Sequence, residues 1–222
     1  GSLDQSSMLW IKDKLFSLPE LLDTDADHES SHGSPPRAWS HELTGGDFAV
    51  FRLTPEKYHY NHTPVAGRVV DFYDITGTYH SCHPDAVIEL VTPFSKNRRV
   101  VTIVDTDVPG GTGVGLVAMV EVVALMIGEV VQRYSSRAYE SPQPMAIGCF
   151  LERGQPKSLF RPGSSTVVLV FQRGRVSFLN HLIENQVRPD VASRLTIGFR
   201  HPLAETDVQV RSAIGRARAG GS

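Results

Sequence analysis

Two histidines three residues apart, His59 and His62, and two serines behind a glycine, Ser164 and Ser165 after Gly163, are the residues whose types and spacing could do chemistry. An imidazole titrates near neutrality and can take a proton from a hydroxyl, which turns a serine into a nucleophile. The histidines stand in Phe51-Arg-Leu-Thr-Pro-Glu-Lys-Tyr-His-Tyr-Asn-His-Thr-Pro-Val-Ala-Gly67. Pro64 stops any helix there and pushes the local backbone toward extended or turn geometry, so both rings are expected on a loop beside a strand end. The serines stand in Phe160-Arg-Pro-Gly-Ser-Ser-Thr-Val-Val-Leu-Val-Phe171, a tight turn running into a strongly β-forming stretch. Gly163 can take dihedrals closed to other residues, so a serine on that turn could be held with its hydroxyl against the preceding carbonyl carbon. That geometry permits an N-to-O acyl shift. Taken singly, each segment also has a plainer reading: a loop with two hydrogen-bonded histidines, and a turn before a core strand.

The elements that must position these residues are read from periodicity. A chain of 222 residues suits one substantial domain, residues 1–222. Met8 to Lys12 reads as a short strand, followed by a helix with Ser17 as N-cap and Pro19 and Glu20 in its first turn. Asp23 to Pro36 is polar and rich in turn residues, as a mobile loop would be. Short β-branched runs then follow at Phe48–Leu53, Gly67–Tyr73, Val87–Val91, Val100–Asp105, Gly115–Val131, Ala146–Leu151, Thr166–Phe171 and Leu195–Phe199, each expected as strand. The Val114–Val131 run could be a buried helix by length, but its valines and Gly128 favour two strands. Glu121 and Glu129 argue against a membrane span, since one charge at bilayer depth costs about 2.5 kcal/mol or more. The fold class is α+β and β-rich, with antiparallel sheets in a sandwich-like arrangement and a few peripheral helices. Residues 1–7 look like a tag remnant and 211–222 like a frayed tail.

Composition narrows the partners. Lys plus Arg number 22 against 24 Asp plus Glu, so no electrostatic footprint for nucleic acid is present. Cys82 and Cys149 form no disulfide framework and no CxxC pair. His80 and His83 repeat the spacing of His59 and His62, but no Cys or acidic ligand accompanies them at a zinc-type spacing, so no metal is expected. No basic stretch followed by an apolar run opens the sequence, so a signal peptide is not expected and the protein is read as cytoplasmic or peripheral to a membrane.

Together, Phe-Arg-Leu-x-Pro-x-x-Tyr-His-x-x-His-x-Pro-Val-x-Gly and the downstream serine turn before Val-Val-Leu-x-Phe resemble the phosphatidylserine decarboxylase family. The likeness runs in the same order through Trp10-Ile-Lys12, Phe16-Ser17, Leu21-Leu22, Asn97 in Lys-Asn-Arg-Arg-Val-Val, and Arg153-Gly154, covering most of residues 8 to 180. The resemblance implies self-processing. A serine of Gly163-Ser164-Ser165-Thr166 attacks the carbonyl before it, the ester eliminates, and the serine is left as an N-terminal pyruvoyl group. That ketone forms a Schiff base with a substrate amine and drains the electron pair left by carbon dioxide, so no external cofactor is needed. The resemblance also gives His62 the activation of the serine and His59 a part in decarboxylation.

Two registers compete for the nucleophile. Counting back from Phe171 selects Ser165, with Ser164 where glycine is usual in the family, whereas keeping a Gly-Ser dipeptide selects Ser164. Ser165 is preferred, and cleavage there would give pieces 1–164 and 165–222. The family's triad has an Asp in a segment that would lie upstream of Gly1, so either a natural or engineered truncation removed it or Asp71, Asp74 or Glu121 substitutes. Glu121 lies in an otherwise apolar run, where a carboxylate must find a partner or titrate high. It is therefore a candidate catalytic residue, and the Met119-x-Glu121 pattern looks like relatives that decarboxylate free aromatic amino acids such as tryptophan. Three functions follow: decarboxylation of phosphatidylserine, decarboxylation of a free aromatic amino acid, or an uncleaved member acting as a binding or structural module. The partners implied are a small-molecule or phospholipid head-group substrate, contact with a membrane, and a second copy of the chain, since the family's members are homo-oligomers.

Overall fold

The computed structural model describes residues 8–11, 14–24, 38–53, 58–89, 93–125, 129–161, 165–200 and 202–218. In chain order its elements begin with strands β1 (Met8–Ile11) and β2 (Lys14–Ser17) and helices α1 (Leu18–Leu22) and α2 (Trp39–Leu43). Strands β3 (Asp47–Leu53), β4 (Tyr60–His62) and β5 (Gly67–Ile75) follow, then helices α3 (Pro84–Glu89) and α4 (Pro93–Lys96). Next come β6 (Arg99–Asp105), β7 (Leu116–Val122), β8 (Glu129–Gln132), β9 (Phe150–Leu151), β10 (Pro156–Arg161) and β11 (Ser165–Phe171). The chain closes with β12 (Val176–Phe178), α5 (Asn180–Gln186), α6 (Arg194–Phe199) and β13 (Gly215–Ala217).

A six-stranded antiparallel sheet, ordered β3-β11-β7-β6-β5-β9, divides the apolar residues into two cores. Its central strands are covered on both faces, which is why they read as continuous apolar runs instead of alternating ones. On one face Val101, Val120, Val122, Val168 and Val170 pack with Leu21, Leu22, Trp39, Leu43 and Phe199 of the helices. On the other, Val100, Val117, Met119, Val167 and Leu169 pack with Val130 and Phe160 of a three-stranded sheet ordered β4-β10-β8. The sandwich of antiparallel sheets with peripheral helices is the architecture expected.

The Val114–Val131 run forms strands β7 and β8, and among the described residues no helix is long and apolar enough to cross a membrane. Helix α1 starts as expected. The Ser17 hydroxyl accepts from the Glu20 N–H, and the Glu20 carboxylate accepts from the Ser17 N–H, both at 3.2 Å.

Four expectations are corrected. Val87–Val91 is no strand, because α3 runs through Glu89 from Pro84, a residue suited to a helix's first turn; Leu90 and Val91 lie outside the described residues. Leu195–Phe199 is also helical: the Ser193 hydroxyl accepts from the Thr196 N–H at 2.9 Å and caps α6. Ala146–Leu151 shrinks to the two-residue β9. The tail contributes strand β13, which pairs with β12, and the Arg218 N–H donates to the Arg175 carbonyl at 2.9 Å; residues 219–222 lie outside the described residues. Of the expected loop at 23–36, Asp23 is tied down by the Ser40 hydroxyl at 2.6 Å, and residues 25–37 lie outside the described residues.

Candidate active site

The two chemical segments meet through β10. Strand β4 pairs antiparallel with β10, Tyr60 opposite Leu159, Asn61 opposite Ser158 and His62 opposite Pro156. One residue earlier, the His59 carbonyl accepts from the Phe160 N–H at 3.1 Å. Strand β10 ends at Arg161 in the three-stranded sheet, and β11 begins at Ser165 in the six-stranded sheet. Pro162, Gly163 and Ser164 between them lie outside the described residues, as does the side chain of Ser165. The Ser165 backbone is opposite Leu53 of β3.

The pattern around Pro64 predicts a loop for both histidines, but His62 closes a short strand. The strand period of two then separates the rings. His59 and Asn61 share one parity, Tyr58, Tyr60 and His62 the other.

Asn61 points between the sheets into a buried polar group. Its Nδ2 donates to Glu121 Oε1 and to Ser158 Oγ, both at 2.9 Å, and the Ser158 hydroxyl also bonds Glu121 Oε1. Glu121 Oε2 accepts from Lys157 Nζ at 2.7 Å and from Gln132 Nε2 at 2.9 Å, and Lys157 also donates to Gln132 Oε1 at 2.8 Å. Both charged side chains have no solvent exposure. Regular alternation would send Lys157 and Ser158 to opposite faces. The pairing slips between Pro156 and Ser158, and this bulge lets both reach Glu121. Burial pulls the Lys157 pKa below its ordinary value, with the Glu121 carboxylate opposing. Glu121 thus finds the partner that its apolar surroundings require. On the same parity, His59 Nε2 is buried and finds no hydrogen-bond partner among the described residues.

On the outer parity, Tyr58 stacks on Tyr60 with centroids 5.6 Å apart, and Tyr139 meets Tyr60 edge-on at 5.2 Å. His62 completes the group, Nε2 lying 2.8 Å from the Tyr58 hydroxyl and Nδ1 2.7 Å from the Gly154 carbonyl. The three carboxylates read from the sequence as possible partners of His62 are engaged elsewhere. Asp71 accepts from Trp39 Nε1 at 2.7 Å, Asp74 pairs with Arg98 at 3.3 Å, and Glu121 belongs to the inner network.

The start of β11 is held by its surroundings. Thr166 is buried opposite Val122 and Arg52, beside Cys82, whose thiol burial pushes up to about 11 against the opposing Thr166 hydroxyl and Arg52 guanidinium. Asn97 is wholly buried and ties the neighbouring loop to the end of β7: Nδ2 donates to the Val123 and His80 carbonyls, both at 2.7 Å, and Oδ1 accepts from the His80 N–H at 2.8 Å. Among the described residues no group of three or more His, Cys, Asp or Glu side chains could hold a metal ion. Asn61, Gln132, Lys157, Ser158, Tyr58 and Tyr139 are not evident as site residues from sequence. Lys157 and Ser158 lack any apolar alternation around them, although the demand of Glu121 for a cation is a signal that one exists.

Comparison with known proteins identifies the family. The family model described as phosphatidylserine decarboxylase matches residues 1–196. A rice relative named phosphatidylserine decarboxylase proenzyme 2 is 30% identical over 90% of this chain and 28% of its own length. Phosphatidylserine decarboxylase proenzymes of Chlamydia trachomatis and Ruminiclostridium cellulolyticum are 34% and 27% identical, over 80% and 96% of this chain and 50% and 57% of their own lengths. The chain spans about half the length of these bacterial relatives and less of the rice one. With a family model matched over most of its length and a histidine strand laid against the strand that enters the serine pair, this chain belongs to the phosphatidylserine decarboxylase family.

Proposed function

We propose that the chain cleaves itself ahead of Ser165 and uses the resulting pyruvoyl group to remove the carboxylate of phosphatidylserine. The observation that carries this reading is the bond from the Phe160 N–H to the His59 carbonyl, which joins the histidine segment to the strand entering the serine pair. The strands on either side of the scissile bond suit a cut there. Strand β10 is held by β4 and β8, and β11 by β3 and β7, so each piece keeps its partners after cleavage. The proenzyme names of the relatives accord with such a step.

In the cleavage, the Ser165 oxygen gives up its proton to His62 and bonds to the carbonyl carbon of residue 164. The amide C–N bond breaks, leaving an ester and a protonated amine, and loss of the Ser165 α-proton then expels the carboxylate of residue 164. Water replaces the amine as ammonia and leaves the keto group. A pyruvoyl group at residue 165 would supply the electron sink for loss of carbon dioxide from the amine-bearing head group. His59, on the inward parity with an Nε2 that finds no partner among the described residues, delivers the proton that replaces the lost carboxylate. Glu121 acts through Asn61, fixing one of the two residues that lie between the histidines.

Carbon dioxide release from phosphatidylserine vesicles and from free tryptophan tests the substrate. Release from the vesicles alone is expected. Release from tryptophan alone would overturn the lipid reading and leave the carboxy-lyase chemistry intact.

A further inference from the structure

Tyr139 and Arg211 reach the histidine strand from segments held in backbone conformations that L side chains rarely adopt. Ala138, just before Tyr139, has φ +53°, Ser141 has +46°, and Arg211 itself has +68°. Such residues are strained and persist only where their surroundings hold them. Gln155 Oε1 accepts from the Ala138 N–H at 3.1 Å, and Arg211 Nε donates to the Gly154 carbonyl at 3.0 Å. The result is an aromatic shelf on the outer parity of β4. Tyr58 and Tyr139 are 44% and 50% exposed, with Tyr60 stacked on Tyr58 and His62 alongside.

Arg211 brings a cation to this shelf without an anion of its own. It spends one N–H on Gly154, and no acceptor among the described residues takes the other four. Arg175 and Arg194, by contrast, meet Asp107 and Asp85 at 2.7 and 3.0 Å. Glu140, next to Tyr139, pairs with Arg137 at 3.8 Å. Burial pulls the His62 pKa below its ordinary value, the Gly154 carbonyl opposes, and Arg211 adds to the lowering. Burial and then Tyr139 hold Tyr58 above its ordinary value, with Arg211 opposing. Both responses to Arg211 are those of a positive charge felt at the shelf.

We propose that Arg211, flanked by Tyr58 and Tyr139, binds the phosphodiester of a glycerophospholipid. The inference rests on a phospholipid being the substrate. A guanidinium meets a phosphate through two parallel N–H bonds, and the tyrosine rings offer apolar faces to the glycerol carbons beside it. The same fork fits a carboxylate, but the substrate's carboxylate leaves as neutral carbon dioxide. A cation bound to it would stabilise the ground state over the transition state and slow the reaction. The phosphodiester keeps its charge throughout, so holding it fixes the head group without opposing the chemistry.

Calorimetric titration of the full chain, kept whole by Ser164→Ala and Ser165→Ala, with glycerophosphoserine tests this without cleavage. Binding is expected, and Arg211→Gln should weaken it roughly tenfold to a hundredfold, the loss of a charge-assisted pair. Arg211→Lys keeps the charge without the fork and should fall between the two. Inorganic phosphate, which lacks the glycerol, should bind more weakly than glycerophosphoserine, and any affinity for free serine should not depend on Arg211. Should Arg211→Gln fail to fold, Tyr139→Ala, at a half-exposed position, serves and weakens binding in the same sense. No binding of glycerophosphoserine, an affinity unmoved by these variants, or inorganic phosphate bound as tightly would overturn the inference. Carbon dioxide release from tryptophan alone overturns the lipid reading instead, and it is measured separately on the cleaved chain.

Discussion

Ser165→Ala is expected to leave the chain whole, at the 24.4 kDa of the intact polypeptide, while Ser164→Ala still divides. The difference comes from what each residue contributes to the bond that breaks. If Ser165 is the nucleophile, residue 164 supplies only the carbonyl that is attacked, and alanine keeps that carbonyl. Deleting a nucleophilic serine slows a reaction by roughly 10⁶-fold, which on any practical timescale means no fragment. The reverse outcome, cleavage in Ser165→Ala and none in Ser164→Ala, would move the nucleophile one residue upstream. The backbone supports the first pattern, because Ser165 already stands in register with Leu53 and the new terminus would sit at the first paired residue of β11.

Lys157→Met is expected to destabilise the fold by about 3–5 kcal/mol, the cost of leaving a buried charge without its partner. Domains are stable by only about 5–15 kcal/mol, so the urea midpoint should fall steeply. Glu121 would keep its bonds from Asn61, Ser158 and Gln132 but lose the cation 2.7 Å away. Glu121→Gln combined with Lys157→Met should recover much of the loss, since the charge is removed while an amide oxygen still accepts from Asn61 and Ser158. Recovery stays incomplete, because the Gln132 amide loses the ammonium at 2.8 Å and cannot meet both remaining groups. If the double variant were as unstable as the single one, the ion pair would not be the source of the loss.

The strands of the large sheet are legible in the sequence because burial on both faces demands uninterrupted β-branched runs, as in Thr166–Phe171 and Val100–Asp105. Val87–Val91 and Leu195–Phe199 have the same composition yet are helical where described. Pro84 and the Ser193 cap start those turns, and α3 packs so closely on α6 that a β-carbon on Gly198 would meet Ile88 at 2.4 Å. Tertiary packing overrides propensity there. Strand β10 is hidden because Lys157 and Ser158 make no sense as strand interior until Glu121, far away in sequence, stands opposite them. The histidine pair is visible, but its consequence is not. An odd spacing sends the two rings to opposite faces only once Tyr60–His62 is known to be strand.

The mass of the purified, denatured wild-type chain tests the central claim most directly. Two pieces are predicted, the smaller beginning at residue 165, blocked to Edman degradation and reactive toward carbonyl reagents. A single species at 24.4 kDa would contradict it.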